Sequence, residues 1–287
     1  MGDLFQRKKS IKEFAIQKSI ESVLDENHTK ELEDRGEEIF EAADNIRNDE
    51  IDNWTPPQPS SDTRIWRYLN FTQLQSILER EQLWFSNIMN FDDPYEGTIP
   101  KGNVEREIEE LKENLEVTHK IAKKLHNVLL ERALVEDGYV NCWNINQYES
   151  AALWEQYVDS KEGIAISTTV DRLEAAIVES EINFRYGAIE YINYEEDNIP
   201  DGKLPPLFHK RKSFEHENEF RVSFIDTDDV YSPSGGYISV DTNMLIEEIY
   251  IAPTSESWFY DLVEKVLRTY DVGCDLHKSD LYSDPVY

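Results

Sequence analysis

The sequence predicts an α+β protein with a mixed or antiparallel sheet at its core, flanked by helices and preceded by an N-terminal helical extension. Short apolar runs, typical of buried strands, are separated by segments with helical spacing, and no internal repeat is present. The two kinds of segment do not alternate regularly, which argues against a doubly wound parallel sheet. The predicted strands are 64–69, 83–86, 139–143, 164–167, 189–194, 220–225, 237–240 and 249–252.

Helical patterns fall between these strands. Residues 72–80, 151–157, 171–178 and about 255–267 each predict one short helix. The longest pattern covers 103–135, with apolar residues at near-helical spacing among many charges, and it fits either one long helix or a helical hairpin.

The first part of the chain differs from the rest in composition and in the spacing of its apolar residues. Residues 1–55 are polar, charged and helix-prone, so we expect a helical extension that docks loosely or contacts a protein partner. The run TPPQPSSD breaks secondary structure and predicts a linker over 56–63. Residues 64–287 then form the α+β domain.

Composition limits the classes of function. The chain of 287 residues has 59 acidic against 29 basic side chains and a formal net charge of -30, which repels nucleic-acid backbones and anionic membranes at long range. Adaptation to a halophilic, high-salt cytoplasm or an ordinary acidic protein with a basic partner would each explain this charge. Two widely spaced cysteines, no apolar leader and no long apolar run predict a cytoplasmic protein without a membrane segment.

No phosphate loop, HExxH, GxSxG or paired CxxC motif is present. Instead, short distinctive blocks follow one another along the chain: RY at 67–68, LWFSN at 83–87, FDDPYEG at 91–97, VNCW at 140–143, LW at 153–154 with Tyr157, GIAI at 163–166, KRKSF at 210–214 and ENEFR at 217–221. As an ordered series over about 64–255, these blocks resemble the family named domain of unknown function 2971. Asp92 and Phe214 depart from the pattern, because that family usually has Asn and Trp at these positions.

A second, more distant resemblance concerns chemistry. The order Arg67, Ser86 and then Glu217 with Glu219 is similar to the site of ADP-ribosyltransferases, which carry Arg or His on a first strand, Ser on a second and Glu-x-Glu on a late one. This resemblance implies that Arg67 binds the pyrophosphate of NAD and that Ser86 orients the ribose. Glu219 would stabilise the transition state, and Glu217 would select the acceptor.

The residue types suit that chemistry. Guanidinium groups pair with phosphate in a two-pronged manner, and a carboxylate stabilises the oxocarbenium-like charge that develops when the nicotinamide bond breaks. Tyr68 and Trp84, beside the predicted phosphate and ribose contacts, complete the set of candidate NAD-binding residues. Trp143, Trp154, Tyr157 and Tyr191 fit either a pocket wall or the core.

Each candidate has a plainer alternative. Period-two alternation places Glu217, Glu219 and Arg221 on one strand face, which a solvated face with a Glu–Arg pair also explains. Asp92, Asp93 and Glu96 fit a turn closed by Gly97, or a divalent metal site as in a metal-dependent nuclease. We predict the turn and no metal.

The basic run Lys210, Arg211 and Lys212 stands out in so acidic a chain. It predicts either a patch that receives a nucleotide or a nucleic-acid end, or a loop that balances nearby carboxylates. The leading hypothesis is an NAD-dependent ADP-ribosyltransferase-like effector, with defence or toxin settings implied loosely by the resemblance. The alternative is a non-catalytic module that senses a nucleotide or peptide.

Overall fold

The α+β class predicted from the sequence is confirmed by the computed structural model, which describes residues 54–129, 137–157, 162–178, 181–226 and 230–285. Nine strands form one sheet in which antiparallel pairs dominate and β10–β11 is parallel, and β6 and β7 form a separate parallel pair. Helices flank the sheet, as expected. The predicted N-terminal helical extension lies outside the described residues, which begin at residue 54.

The strands are β1 (Arg64–Asn70), β2 (Gln82–Asn87), β3 (Gly138–Ile145), β4 (Gly163–Thr169), β5 (Arg185–Ala188), β6 (Glu190–Ile192), β7 (His209–Arg211), β8 (Glu219–Ile225), β9 (Gly235–Ser239), β10 (Glu248–Ile251) and β11 (Asp275–Lys278). The α-helices are α1 (Phe71–Arg80), α2 (Lys101–Asn114), α3 (His119–Leu129), α4 (Ala151–Tyr157), α5 (Val170–Ala176), α6 (Thr242–Leu245) and α7 (Ser257–Thr269). Short 3-10 helices cover Ile88–Asn90, Pro205–Leu207 and Lys212–Glu217.

The main core covers one face of the large sheet. Alternate residues of β1, among them Ile65 and Leu69, point to this face and are buried. Helix α7 contributes Phe259, Val263 and Leu267, whose spacing places them on one side of the helix. Burial of this apolar surface is the main force that holds helix and sheet together.

The connection between β1 and β2 is short because its two ends are specified locally. Asn70 ends β1 and accepts a hydrogen bond from the Gln73 N–H, and the Gln73 side chain accepts one from the Asn70 N–H. At the other end of α1, Glu81 adopts a left-handed conformation (φ 53°) and turns the chain into β2.

Strand β3 is the branching point of the sheet. Strand β8 pairs along Gly138–Asn144, whereas β1 pairs only at 144–145 and β2 only at 139–140. Strands β1 and β2 therefore share one edge of β3 and diverge from each other. We call the gap between them the split. It is spanned near β2 by Asn141, whose side-chain N–H donates to the Trp84 carbonyl at 2.8 Å.

The structure decides several open points. The 103–135 pattern contains a hairpin of α2 and α3 in its described part, because the chain turns at Glu116, where φ is 52°. Strands β5, β7 and β11 were not predicted, and the sequences of the last two, HKR and DLHK, are mostly polar or charged. The segment predicted as a linker lies along β5, where the Ala188 N–H donates to the Pro57 carbonyl at 2.8 Å.

Candidate functional site

A cavity of about 740 Å³ opens at the split, within the range of volumes of small-molecule sites. Its walls come from the diverging strands, from helix α1, from the loop 91–97 and from the chain around β7 and the start of β8. Of the candidate residues, it is lined by Arg67, Tyr68, Trp84, Lys210, Arg211, Glu217 and Glu219. The divergence of β1 and β2 is thus what creates room for a ligand.

Arg67 forms the positive side of the cavity. Its guanidinium carbon lies 5.8 Å from the centre of the Trp143 ring, and its Nη1 is closed to solvent and has no hydrogen-bond partner among the described residues. Burial lowers the pKa of Arg67 below its usual value, and its surroundings do not offset that loss of hydration. A guanidinium left in this state is suited to an anionic ligand.

Trp84 forms an aromatic wall on β2. Its ring lies against Gly235, where φ is +144° and where an added Cβ would come within 2.3 Å of the indole. Tyr237 packs edge-on at 4.8 Å. This close approach to a glycine holds the Trp84 ring in place beside the cavity.

Five buried charged residues form what we call the ion cluster: Glu96, Lys210, Glu217, Glu219 and Arg221. The Lys210 ammonium lies 2.6 Å from Glu217, 3.1 Å from Glu96 and 3.3 Å from Glu219. Arg221 donates to Glu219 at 2.5 and 3.1 Å and to Glu96 at 3.0 Å. Three carboxylates and two cations share this network, so its formal charge is −1.

The pKa values in the ion cluster follow from that pairing. Burial would raise the pKa of Glu219, but the charges and hydrogen bonds of Arg221 and then Lys210 outweigh it and hold the pKa at about 2. Burial would lower the pKa of Lys210, yet Glu219 and Glu96 keep it above its usual value. Both groups therefore remain charged across the physiological pH range.

A second ionic contact holds the loop 91–97 over the cavity. Asp93 accepts two hydrogen bonds from Arg211, at 2.6 and 3.1 Å, and the Tyr95 ring lies 4.5 Å from the same guanidinium. We call the Asp93–Arg211 contact the latch. Together with Glu96, it fastens the turn to β7 and β8.

Within the described part of the chain, three buried polar atoms that have no hydrogen-bond partner there belong to residues that line this cavity. They are Nη1 of Arg67, Oε2 of Glu96 and Oδ1 of Asn144. Buried polar groups are nearly always paired in folded proteins. All three atoms are closed to solvent, so a ligand in the cavity would pair with them after these side chains turn towards it.

The remaining predicted residues are placed elsewhere. Ser86 is not among the lining residues, because at its position β2 is paired on both edges, with Val140 and with Gly235. Lys212 is exposed and lies 3.8 Å from Asp197. Since Lys210 is buried and Arg211 is held in the latch, the basic run does not present three free cations to solvent.

The alternative of a solvated Glu–Arg face is wrong, because the side chain of Arg221 is 0% exposed. Sequence reasoning also missed the buried role of Glu96 and the contribution of Asn144. The block FDDPYEG was the available signal for Glu96, but its partners come from a distant part of the chain. Trp143 and Tyr157 line the cavity, whereas Trp154 packs in a satellite core with Tyr68.

Asp93 and Glu96, two of the carboxylates considered for a metal, are committed to the cations Arg211, Lys210 and Arg221. Within the described ranges no group of three His, Cys, Asp or Glu side chains is arranged to hold a metal ion. In those same ranges, no helix combines the length and apolar character needed to cross a membrane.

No protein-family model and no curated protein matches the chain, so the resemblance to domain of unknown function 2971 stays a prediction. Two solved structures are distantly similar. Thermus sp. 2.9 DarT in complex with NAD+ is 10% identical with a TM-score of 0.38, over 77% of this chain and 97% of that one. Thermus sp. 2.9 DarT in complex with ADP-ribosylated single-stranded DNA is 10% identical with a TM-score of 0.37, over 79% and 98%. At this level of similarity, no role of an individual residue is transferred.

Proposed function

We propose that this protein is an NAD+-dependent ADP-ribosyltransferase whose substrate NAD+ occupies the cavity at the split. The observation that carries the proposal is the set of three unpartnered buried atoms around one cavity, on Arg67, Glu96 and Asn144. One is a cationic donor and two are acceptors, and the ion cluster lies in the same wall.

NAD+ matches this set of groups. Its pyrophosphate is the anion that the Arg67 guanidinium requires, and its ribose hydroxyls and carboxamide supply donors for the two unpartnered oxygens. The nicotinamide ring is cationic and aromatic, which suits the aromatic rings of Trp84 and Tyr157 and the net negative ion cluster. The proposed NAD+-binding residues are therefore Arg67 and Trp84, together with Tyr68, which follows Arg67 on β1 and lines the same cavity.

The chemistry required of the chain is modest. The bond between C1′ of the ribose and the nicotinamide nitrogen breaks, and its electron pair leaves with neutral nicotinamide. Positive charge develops on the ribose as this bond breaks, and the acidic pair Glu217 and Glu219 in the cavity wall supplies the negative charge that stabilises it. An acceptor hydroxyl or amine, or water, forms the new bond to C1′ and releases its proton to solvent.

The test uses the full chain with NAD+. We expect saturable NAD+ binding by calorimetry and nicotinamide release by chromatography, and we expect R67M to weaken binding about 30-fold or more because the phosphate loses a buried charged donor. The control is R106M, since Arg106 pairs with Asp201 on the surface and does not line the cavity. If the wild type shows neither NAD+ binding nor nicotinamide release, this function is excluded.

A nucleotide-sensing module is the second candidate, favoured by the extent to which Glu219 is already occupied. Its oxygens accept hydrogen bonds from both Arg221 and Lys210, which leaves little capacity for a substrate. Saturable NAD+ binding and thermal stabilisation without nicotinamide release would favour this sensor over the enzyme.

A further inference from the structure

We propose that the two acidic residues at 217 and 219 have divided roles: Glu217 is the carboxylate that contacts the ligand, and Glu219 is the counter-ion that positions Arg221 and Lys210. This inference rests on the proposed function and reverses the assignment expected from the sequence, which gave the transition state to Glu219.

Most of the acceptor capacity of Glu219 is used within the protein. A carboxylate offers about four lone-pair sites. Arg221 occupies two of them, at 2.5 and 3.1 Å, and Lys210 donates at 3.3 Å. One lone-pair site is left, on a carboxylate that three donors from two cations already hold in place. A ribose hydroxyl therefore finds less acceptor capacity at Glu219 than at Glu217.

Glu217 retains capacity. Its oxygens accept from Lys210 at 2.6 Å and from Gln156 at 3.3 Å, so about two lone-pair sites remain for a ligand. Like Glu219, it lines the cavity. The same Lys210 ammonium that restrains Glu219 also fixes one oxygen of Glu217, which orients the carboxylate without saturating it.

The backbone of Glu217 is positioned independently of the ion cluster. Glu217 ends a 3-10 helix, and Asn218 follows in a left-handed conformation with φ 41°. The Asn144 side-chain N–H donates to the Glu217 carbonyl, which ties this turn to β3. The side chain of Glu217 therefore enters the cavity from a turn, whereas Glu219 lies in the paired strand β8.

The surrounding titratable groups do not compete for these roles. Cys142, Tyr157, Tyr191 and Tyr194 all have pKa values raised above their usual range, chiefly by burial, so each stays neutral near neutral pH. Besides members of the ion cluster, the charged residues that line the cavity are Arg67, Asp92, Asp93 and Arg211.

The test compares E217Q and E219Q in the full chain. We expect E217Q to lower the turnover number for nicotinamide release at least about 100-fold, because it removes the negative charge that stabilises the transition state. The urea midpoint and the NAD+ affinity of E217Q should be nearly unchanged. E219Q should lower the urea midpoint clearly and reduce turnover by about tenfold at most, through misplaced Lys210 and Arg221.

If E219Q does not fold, E219Q/R221Q removes the pair together and leaves the formal charge of the cluster at −1, so it should be more stable than E219Q. A folded E219Q or E219Q/R221Q that loses as much turnover as E217Q would overturn the division of roles. So would an E217Q that loses as much stability as E219Q. If the wild type is inactive, the proposed function is excluded. The urea midpoints of E217Q and E219Q would still test the structural role of Glu219.

Discussion

Arg67 and Arg221 lie on opposite sides of strand β3, on β1 and β8, and their surroundings differ completely. Arg221 donates to Glu219, to Glu96 and to the Leu207 carbonyl. Arg67 contacts the Trp143 ring and has an Nη1 without a partner. One guanidinium belongs to a closed internal network, and the other faces a cavity. Arg221 is held by several acceptors within the fold, whereas Arg67 is the residue that we propose binds an anionic ligand.

Removing each guanidinium in turn should affect stability to very different extents. R221M should cost about 3–5 kcal/mol of unfolding free energy, because Glu219 and Glu96 lose their main partner inside the protein. R67M should change stability by no more than about 1 kcal/mol, since it removes a charge that no carboxylate of the described residues pairs. Urea unfolding of both variants measures the two values, and equal losses would show that the two sites are alike.

The next largest effect is expected in acid, and only on the Arg221 side. The pKa of Glu219 is held at about 2 in the folded protein, below its ordinary value of 4.5. The resulting stabilisation is complete above pH 4.5 and is lost as the pH falls towards 2. The shift corresponds to about 3 kcal/mol.

Urea midpoints measured between neutral and acid pH test this expectation. E219Q should flatten the acid limb of the stability curve, because the titrating group is gone. E217Q serves as the matched control and should leave most of the acid limb in place. An acid limb of the same slope in all three proteins would mean that Glu219 does not carry this dependence.

The sequence predicted the sheet better than the site, and the reason is the range of the interactions. Apolar alternation within β8 identified a strand, and it correctly placed Glu219 and Arg221 on one face. Whether that face is solvated depends on Glu96 and Lys210, which reach it from other parts of the chain. Local pattern contains no information about such partners.

The basic run also shows that a local pattern does not predict the environment of each residue. Lys210, Arg211 and Lys212 are adjacent in sequence, yet one is buried among carboxylates, one is latched to Asp93 and one is exposed. Period-two alternation cannot separate them, because β7 is only three residues long. Likewise, Ser86 follows the same alternation as Trp84. At Ser86, however, β2 pairs with Val140 of β3 as well as with β9, so the split is already closed there.

The smallest effect we expect concerns the latch, where the partly exposed Arg211 meets Asp93. D93N should cost about 1 kcal/mol, because it removes one charge from a contact that solvent partly screens. The loss should be local, so amide hydrogen exchange within 91–97 should become about fivefold faster while exchange in the sheet is unchanged. K212M is the control, since its exposed ion pair with Asp197 involves no residue of the loop 91–97. Unchanged exchange in D93N would mean that Glu96, anchored in the ion cluster, holds the turn without help from the latch.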